Sequence, residues 1–133
     1  MIIILGKTEK AISLLNDAKF KDASRVEVYI GLADVFKEMG AIENVVESFE
    51  EALRECPKSV SLYNYIGSFY NDEMEKPQLA IAYFMLGLLI TPSDPILLNN
   101  LGIAQVAAGD YIKAINNLSS AIEHDADYKD AYR

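Results

Sequence analysis

The sequence has little of what a metal site, a disulfide framework or a nucleic-acid-binding surface requires. Its 133 residues include one Cys, one His and no Trp, and 12 Lys+Arg stand against 20 Asp+Glu, a formal net charge of −8. A single thiol cannot form an internal disulfide or supply a zinc site. A chain with so few bases also lacks the clusters that release counterions from phosphate backbones or bind anionic lipids. We therefore expect no metal, no cofactor, and no nucleic-acid or membrane partner.

Long apolar runs are missing as well. The run at residues 1–5 is followed at once by Gly6 and Lys7 and is too short for a secretory leader. The longest later run, residues 79–90, has twelve residues where a membrane-spanning helix needs about 20. These features predict a soluble chain in the cytoplasm, large enough to fold around its own apolar core.

What the sequence does contain is an internal repeat with a period of 34 or 35 residues. Each column holds one residue class, and the clearest columns are Tyr29, Tyr63, Leu98 and Tyr132; Ala11, Val45, Ala80 and Ala114; Leu15, Phe49, Phe84 and Leu118; and Ala18, Ala52, Gly87 and Ala121. Within each period the apolar residues recur at intervals of three and four, which is typical of helices. Each period therefore predicts a helical hairpin that is stabilised by stacking on its neighbours.

Turn and cap residues agree with this division. Gly40 and Gly109 predict left-handed helix ends, and Pro77 predicts the first turn of a helix. Three further residues are expected to act as N-caps: Ser24, Ser59 and Asp94. The one-residue insertion falls in a predicted turn at residues 71–77.

A further column of small residues has a packing reason. Ala33, Gly67 and Gly102 are expected to face the Ala/Val column of the partner helix, which lets the two helices approach closely.

These columns resemble the tetratricopeptide repeats. The best copy is residues 95–128, where Leu98-Asn99-Asn100-Leu101-Gly102 and Gly109-Asp110-Tyr111 follow the order of the family's motif. The resemblance implies an all-α fold, a right-handed α-solenoid of stacked antiparallel helical hairpins. It divides the chain into a partial repeat (residues 1–25, the end of a first helix plus a second helix), three repeats (26–59, 60–94 and 95–128) and the start of another (129–133). Since both ends fall inside a repeat, we expect a fragment of a longer array.

The candidate catalytic segments lack residues that their motifs require. Leu5-Gly6-Lys7-Thr8 resembles the end of a phosphate-binding loop, but Met1 stands where the loop's leading Gly is needed, and a turn between helices is the alternative. His124 has no second ligand, and Cys56 has no His in its repeat to activate it. We interpret the chain as a non-enzyme.

The resemblance implies that first helices line a concave groove that binds a partner protein or peptide. The groove positions are Ile30, Asp34, Lys37, Asn64, Tyr65, Ser68, Asn71, Asn99, Asn100, Ile103 and Val106. Amides can pair with the backbone of an extended ligand. Because Lys37 is the sole base among these positions, we expect a neutral or basic ligand and not an acidic C-terminal tail.

A second surface is predicted on the second helix of the 60–94 repeat. Its outward positions are Leu79, Ala82, Met85, Leu86 and Leu89, and between residues 77 and 112 only Asp94 and Asp110 carry charge. A helix that is apolar nearly all round is expected to be covered by a second copy of the chain, another domain or a client protein; coverage by a neighbouring helix is the alternative. Two other functions stay open: a chaperone like those of bacterial secretion systems, and the regulatory arm of a larger enzyme.

Overall fold

Helices account for all regular structure in the part of the chain that the computed structural model describes, which is the backbone of residues 2–125 and the side chains of residues 6–125. They are α1 (Ile2–Lys21), α2 (Val26–Glu38), α3 (Ile42–Glu55), α4 (Val60–Asp72), α5 (Pro77–Ile90), α6 (Pro95–Ala108) and α7 (Tyr111–His124). The chain divides into two units, residues 1–62 and 63–133, with α4 mostly in the second. The predicted start of a further repeat at 129–133 lies outside the described residues.

The first helix corrects one expectation. Sequence reasoning predicted the end of one helix, a turn at Gly6 and Lys7, and a second helix, whereas α1 runs without interruption from Ile2 to Lys21. Glycine inside a helix costs only about 1 kcal/mol relative to alanine, and the Lys7-Thr8-Glu9-Lys10 stretch that follows contains three good helix formers. Because α1 begins at Ile2, the segment Leu5-Gly6-Lys7-Thr8 is neither a phosphate-binding loop nor a turn between helices.

In the first unit, α1, α2 and α3 pack around a core centred on Tyr29. This side chain is 2% exposed, and its hydroxyl donates a 2.7 Å hydrogen bond to the carbonyl oxygen of Ala23. Burial, followed by the charges of Glu55 and Glu51, raises the pKa of Tyr29. The ammonium of Lys19 on α1 lies 2.8 Å from a carboxylate oxygen of Glu51 on α3.

In the second unit, small residues set how closely the helices approach, and the nearest atoms opposite them belong to a large residue of the partner helix. A Cβ atom at Gly67 of α4 would collide with the ring of Phe84 on α5. At Gly102 of α6 it would lie 2.6 Å from Cγ of Leu118 on α7 and 3.4 Å from the carbonyl oxygen of Ala114, a residue of the predicted column. The glycines therefore receive the large residue of the partner helix, because an aromatic ring or leucine needs the space that a missing side chain leaves.

Both predicted left-handed glycines are confirmed, with φ of 72° at Gly40 and 84° at Gly109. Pro77 is confirmed in the first turn of α5. The carboxylate of Asp94 accepts hydrogen bonds from the backbone N–H groups of Ile96 (2.9 Å) and Leu97 (3.2 Å), so it caps α6 as expected.

The two serines predicted as caps behave differently. Ser59 is confirmed, because its hydroxyl accepts a hydrogen bond of 3.2 Å from the N–H of Leu62. Ser24 is not a cap: its hydroxyl and its N–H both donate to Asp22 Oδ1, at 2.6 and 3.0 Å. These two bonds lower the pKa of Asp22 and hold Ser24 in a local turn, so that Arg25 becomes the N-cap of α2.

Each of the repeat segments 26–59, 60–94 and 95–128 contains one helix pair: α2 with α3, α4 with α5, and α6 with α7. Among the described residues, no helix combines the length and the apolar character needed to cross a membrane.

Candidate functional site

Two amides from neighbouring first helices meet in the second unit. The Nδ2 of Asn100 on α6 donates a 2.6 Å hydrogen bond to Oδ1 of Asn64 on α4. Sequence reasoning treated both amides as available to a ligand, whereas Asn100 uses one of its N–H donors, and Asn64 one acceptor position of its oxygen, for the other. The pair still leaves the Nδ2 of Asn64 and the Oδ1 of Asn100 for a ligand.

Beside this pair lies a recess of about 100 Å³ that we call the amide recess. It is lined by Ser68, Asn71, Asp72, Phe84, Asn100 and Ile103. The Oδ1 of Asn71 is buried and accepts no hydrogen bond from any described residue, while its Nδ2 makes a long 3.4 Å contact with Oδ1 of Asp72. A buried acceptor without a donor costs about 1–3 kcal/mol. A ligand in the recess that brings a donor could satisfy this oxygen once the Asn71 amide turns toward it.

The remaining predicted groove residues of this unit differ in exposure. Ile103 and Val106 of α6 are 47% and 45% exposed, and Asn99 is also exposed. Tyr65 is half-buried. Exposed apolar side chains beside the recess provide contact area for a ligand segment.

In the first unit the predicted groove residues are less available. Lys37, the sole base among the predicted positions, has its ammonium 3.9 Å from Oδ1 of Asp34, one helical turn earlier on α2. Ile30 is half-buried. The structure thus brings the predicted residues of α4 and α6 together around a recess, and it joins Asp34 and Lys37 to each other.

The second predicted surface is on α5, and all five of its residues are exposed. Leu89 is 79% exposed, Met85 54%, Leu86 43% and Leu79 39%, and Ala82 is exposed as well. Coverage by a neighbouring helix, the alternative considered for this surface, is wrong within the described residues.

Between α5 and α7 the second unit has a crevice of about 460 Å³, which we call the α5–α7 crevice. Its walls are apolar: Ile81, Met85, Leu88, Leu89 and Leu101. Polar residues complete its lining: Gln105, Asp110, Lys113 and Asn117. Sequence reasoning identified Met85 and Leu89 and missed the side contributed by α6 and α7. Because α5 is apolar nearly all round, its sequence pattern does not indicate which helix lies opposite the crevice.

The surroundings of the single thiol, Cys56, favour a structural role over a reactive one. Cys56 is half-buried and its Sγ lies 3.2 Å from the carbonyl oxygen of Ser24, to which it donates. Burial, then the negative charges of Glu55, Glu27 and Asp22, raise the pKa of Cys56 and keep it protonated. Across the side chains that the structure describes, no three His, Cys, Asp or Glu residues are grouped in a way that could hold a metal ion.

Comparison with known proteins identifies the repeat. Residues 26–59 match the family model for the tetratricopeptide repeat, so the resemblance is confirmed for this segment, which contains α2 and α3. Over 119 residues the chain is 24% identical to the anaphase-promoting complex subunit CDC16 of Saccharomyces cerevisiae. That match covers 90% of this chain and 14% of the yeast protein, so the chain spans about one-seventh of its curated relative.

Solved structures share the fold. The crystal structure of PilW, a type IV pilus biogenesis factor, matches with a TM-score of 0.73 and 23% identity, covering 89% of this chain and 55% of PilW. The crystal structure of MamA matches with a TM-score of 0.74 and 20% identity, covering 96% of this chain and 74% of MamA. The predicted fold class, an α-solenoid of the tetratricopeptide type, is confirmed by these matches.

Proposed function

We propose that this chain is a protein-interaction module that binds a partner segment along α4 and α6, with the amide recess as its polar anchor. The observation that carries the proposal is the buried Oδ1 of Asn71, which has no donor among the described residues. A backbone N–H or a polar side chain of a ligand would supply the missing hydrogen bond. The chain's own contribution is binding and not chemistry.

The neighbours of Asn71 indicate how a ligand would be held. The Nδ2 of Asn64 and the Oδ1 of Asn100 are left over from their mutual hydrogen bond, so a peptide group of an extended ligand would find both a donor and an acceptor. Ile103 and Val106 would contact an apolar side chain next to that peptide group. Because the two asparagines hold each other in place, little side-chain entropy remains to be lost on binding.

Charge argues for a neutral or basic ligand. The one charged residue that lines the recess is Asp72, whose carboxylate is exposed. An acidic tail would approach this carboxylate without a base to compensate, in a chain of net charge −8. A Lys or Arg on the ligand would instead pair with Asp72.

The proposal is tested with peptides selected on the immobilised chain from a random display library, followed by anisotropy titrations. Asn71→Leu removes the acceptor while keeping the shape of the side chain, and Asn100→Ala removes half of the amide pair. We expect each change to weaken binding about tenfold, from a loss of about 1–3 kcal/mol. The matched control is Asn116→Ala, an exposed asparagine of α7 outside the recess.

Two results would contradict the proposal. The first is equal affinity of the selected peptides for the wild type, Asn71→Leu and Asn100→Ala. The second, which concerns the charge preference alone, is a selected pool dominated by peptides with acidic C-terminal tails.

A chaperone function is the second candidate, because the exposed apolar residues of α5 could shield a client segment. It predicts that the chain suppresses the aggregation of an unfolding test protein and that Met85→Glu with Leu86→Glu abolishes this effect. A regulatory arm of a larger enzyme is the third candidate, and the small share of the yeast relative that the chain spans is consistent with it.

A further inference from the structure

The α5–α7 crevice has unused apolar walls and a polar lining whose groups pair within the chain. Asn117 Nδ2 donates a 2.8 Å hydrogen bond to Oε1 of the buried Gln105. Asp110 caps α7 by accepting from the N–H of Lys113 at 3.3 Å, and its other oxygen lies 3.6 Å from the ammonium of Lys113. An occupant of the crevice therefore has little charge to meet and an apolar wall to cover, which selects an apolar side chain.

The crevice wall itself carries such a side chain, and α7 carries another next to a crevice residue. Leu89 on α5 and Ile112 on α7 are 79% and 77% exposed, more than any other aliphatic residue that the structure describes. Leu89 forms part of the crevice wall, and Ile112 directly precedes the crevice residue Lys113. A two-fold symmetric contact between identical chains requires a projection and a cavity on one and the same patch. This patch has both.

The available area also suits such a contact. Full burial of a Leu, Ile or Met side chain corresponds to about 100 Å² of apolar surface. At the exposures of Leu79, Met85, Leu86, Leu89 and Ile112, these five side chains offer on the order of 300 Å². A standard interface uses about 800 Å² on each partner, of which a little over half is apolar. About 300 Å² of apolar surface corresponds to roughly 540 Å² on each partner, a contact at the small end of specific interfaces.

Charge does not oppose this contact at close range. Asp110 and Lys113, the charged residues of the crevice lining, neutralise each other. The net charge of −8 on each chain acts mainly at longer range, where salt screens it over about 8 Å at physiological ionic strength.

We propose that two copies of this chain associate through the α5–α7 crevice in a two-fold symmetric dimer, with Leu89 of each copy seated in the crevice of the other. The dimer is independent of the amide recess, so a failure of one proposal leaves the other standing. The proposal also predicts how salt changes the stability of the dimer. Because the long-range force between two chains of charge −8 is repulsive, added salt strengthens the dimer, whereas it would weaken binding of a basic partner helix.

Sedimentation equilibrium of the 133-residue chain over a range of concentrations tests the dimer. The expected result is a mass that rises from 14.8 kDa towards twice that value, and rises more readily as salt is added. Leu89→Glu and Ile112→Glu are each expected to raise the dissociation constant at least about tenfold, since a two-fold contact carries the change twice. Circular dichroism of each variant checks that it folds, and because both residues are exposed no loss of helix is expected.

Ile122→Glu is the matched control. Ile122 is 62% exposed and does not line the crevice, and it lies ten residues, about 15 Å, farther along α7 than Ile112, so this variant should dimerise like the wild type. A chain that stays monomeric at all concentrations would overturn the proposal. So would a dimer that tolerates Leu89→Glu and Ile112→Glu but is lost with Ile122→Glu, or one that salt weakens.

Discussion

The contact between Gly67 and Phe84 predicts that adding a single methyl group will destabilise the second unit. A Cβ atom at residue 67 would collide with the Phe84 ring, reaching 2.7 Å from Cδ1 and 2.8 Å from Cζ. Carbon atoms do not pack at such distances, and the ring cannot swing away because Phe84 is only 1% exposed. Gly67→Ala therefore requires α4 and α5 to move apart.

Two opposing effects determine how much Gly67→Ala changes the free energy of unfolding. Overpacking a well-packed core costs about 1–3 kcal/mol, whereas replacing glycine by alanine inside a helix returns about 1 kcal/mol. The steric effect is the larger, so we expect a net loss of about 1 kcal/mol in the free energy of unfolding. Gly6→Ala isolates the second effect: a Cβ atom there would have no neighbour within 4 Å, and Gly6 is inside α1. We expect this control to gain about 1 kcal/mol.

The assay is urea unfolding followed by circular dichroism, combined with hydrogen exchange of the α4 and α5 amides, which reports on the second unit by itself. In a double-mutant cycle, Phe84→Leu removes the ring, so the cost of Gly67→Ala should fall by about 1–3 kcal/mol. The reasoning is refuted if Gly67→Ala is as stable as the wild type while Gly6→Ala stabilises, or if the cycle shows no coupling.

Two further predictions concern a helix cap and the thiol. Asp94→Ala removes the acceptor of two N–H groups at the start of α6 and should cost about 1 kcal/mol in urea unfolding, whereas an unchanged midpoint would show that solvent caps the helix equally well. Because the pKa of Cys56 is raised, its thiolate fraction at a given pH is below that of a free cysteine, so the folded chain should react with iodoacetamide more slowly than the urea-unfolded chain. The difference between the two rates should shrink as the pH rises through the raised pKa. Equal rates at neutral pH would contradict the assigned environment.

Local sequence signals predicted those features that local interactions decide. Asp94 and Ser59 both precede helices and accept from first-turn N–H groups, so their identity was enough to predict the caps. The Ser59 hydroxyl also lies 3.2 Å from that of Ser61, but this contact does not displace the cap. Ser24 has a neighbour, Asp22, that binds its hydroxyl and its N–H, and a capping rule that considers one residue at a time misses this competition.

Glycine was ambiguous for a similar reason. Gly40 and Gly109 adopt positive φ and end helices, while Gly6 occupies a helix interior. All three fit one column of the repeat, but a glycine permits a left-handed conformation without requiring it. The helix then continues where the next residues favour it.

For the α5 surface, sequence reasoning predicted which residues are exposed but missed what they face. Of the predicted groove residues only Asp34, Asn99, Ile103 and Val106 are exposed, and the others are half-buried. Between these two repeats the offset is 35 residues, which makes Asn64 equivalent to Asn99 and Tyr65 equivalent to Asn100. The hydrogen bond between Asn64 and Asn100 therefore joins two different columns of the repeat, and the period alone could not predict it. Likewise it predicted Met85 and Leu89 as outward-facing, but the crevice depends on how far α7 lies from α5.

The two surfaces select what they bind in different ways. At the amide recess, one buried oxygen without a donor defines what a ligand must bring, so a single substitution at Asn71 tests the site. At the α5–α7 crevice no single polar group selects the occupant, and specificity must come from shape and from the absence of charge. Leu89→Glu should therefore weaken the dimer far more than a change of size such as Leu89→Met. The glutamate would have to lose its hydration in an apolar crevice, and the base in reach, Lys113, is already paired with Asp110. If Leu89→Met weakened the dimer as much as Leu89→Glu, close steric fit and not apolar burial would be the source of its stability.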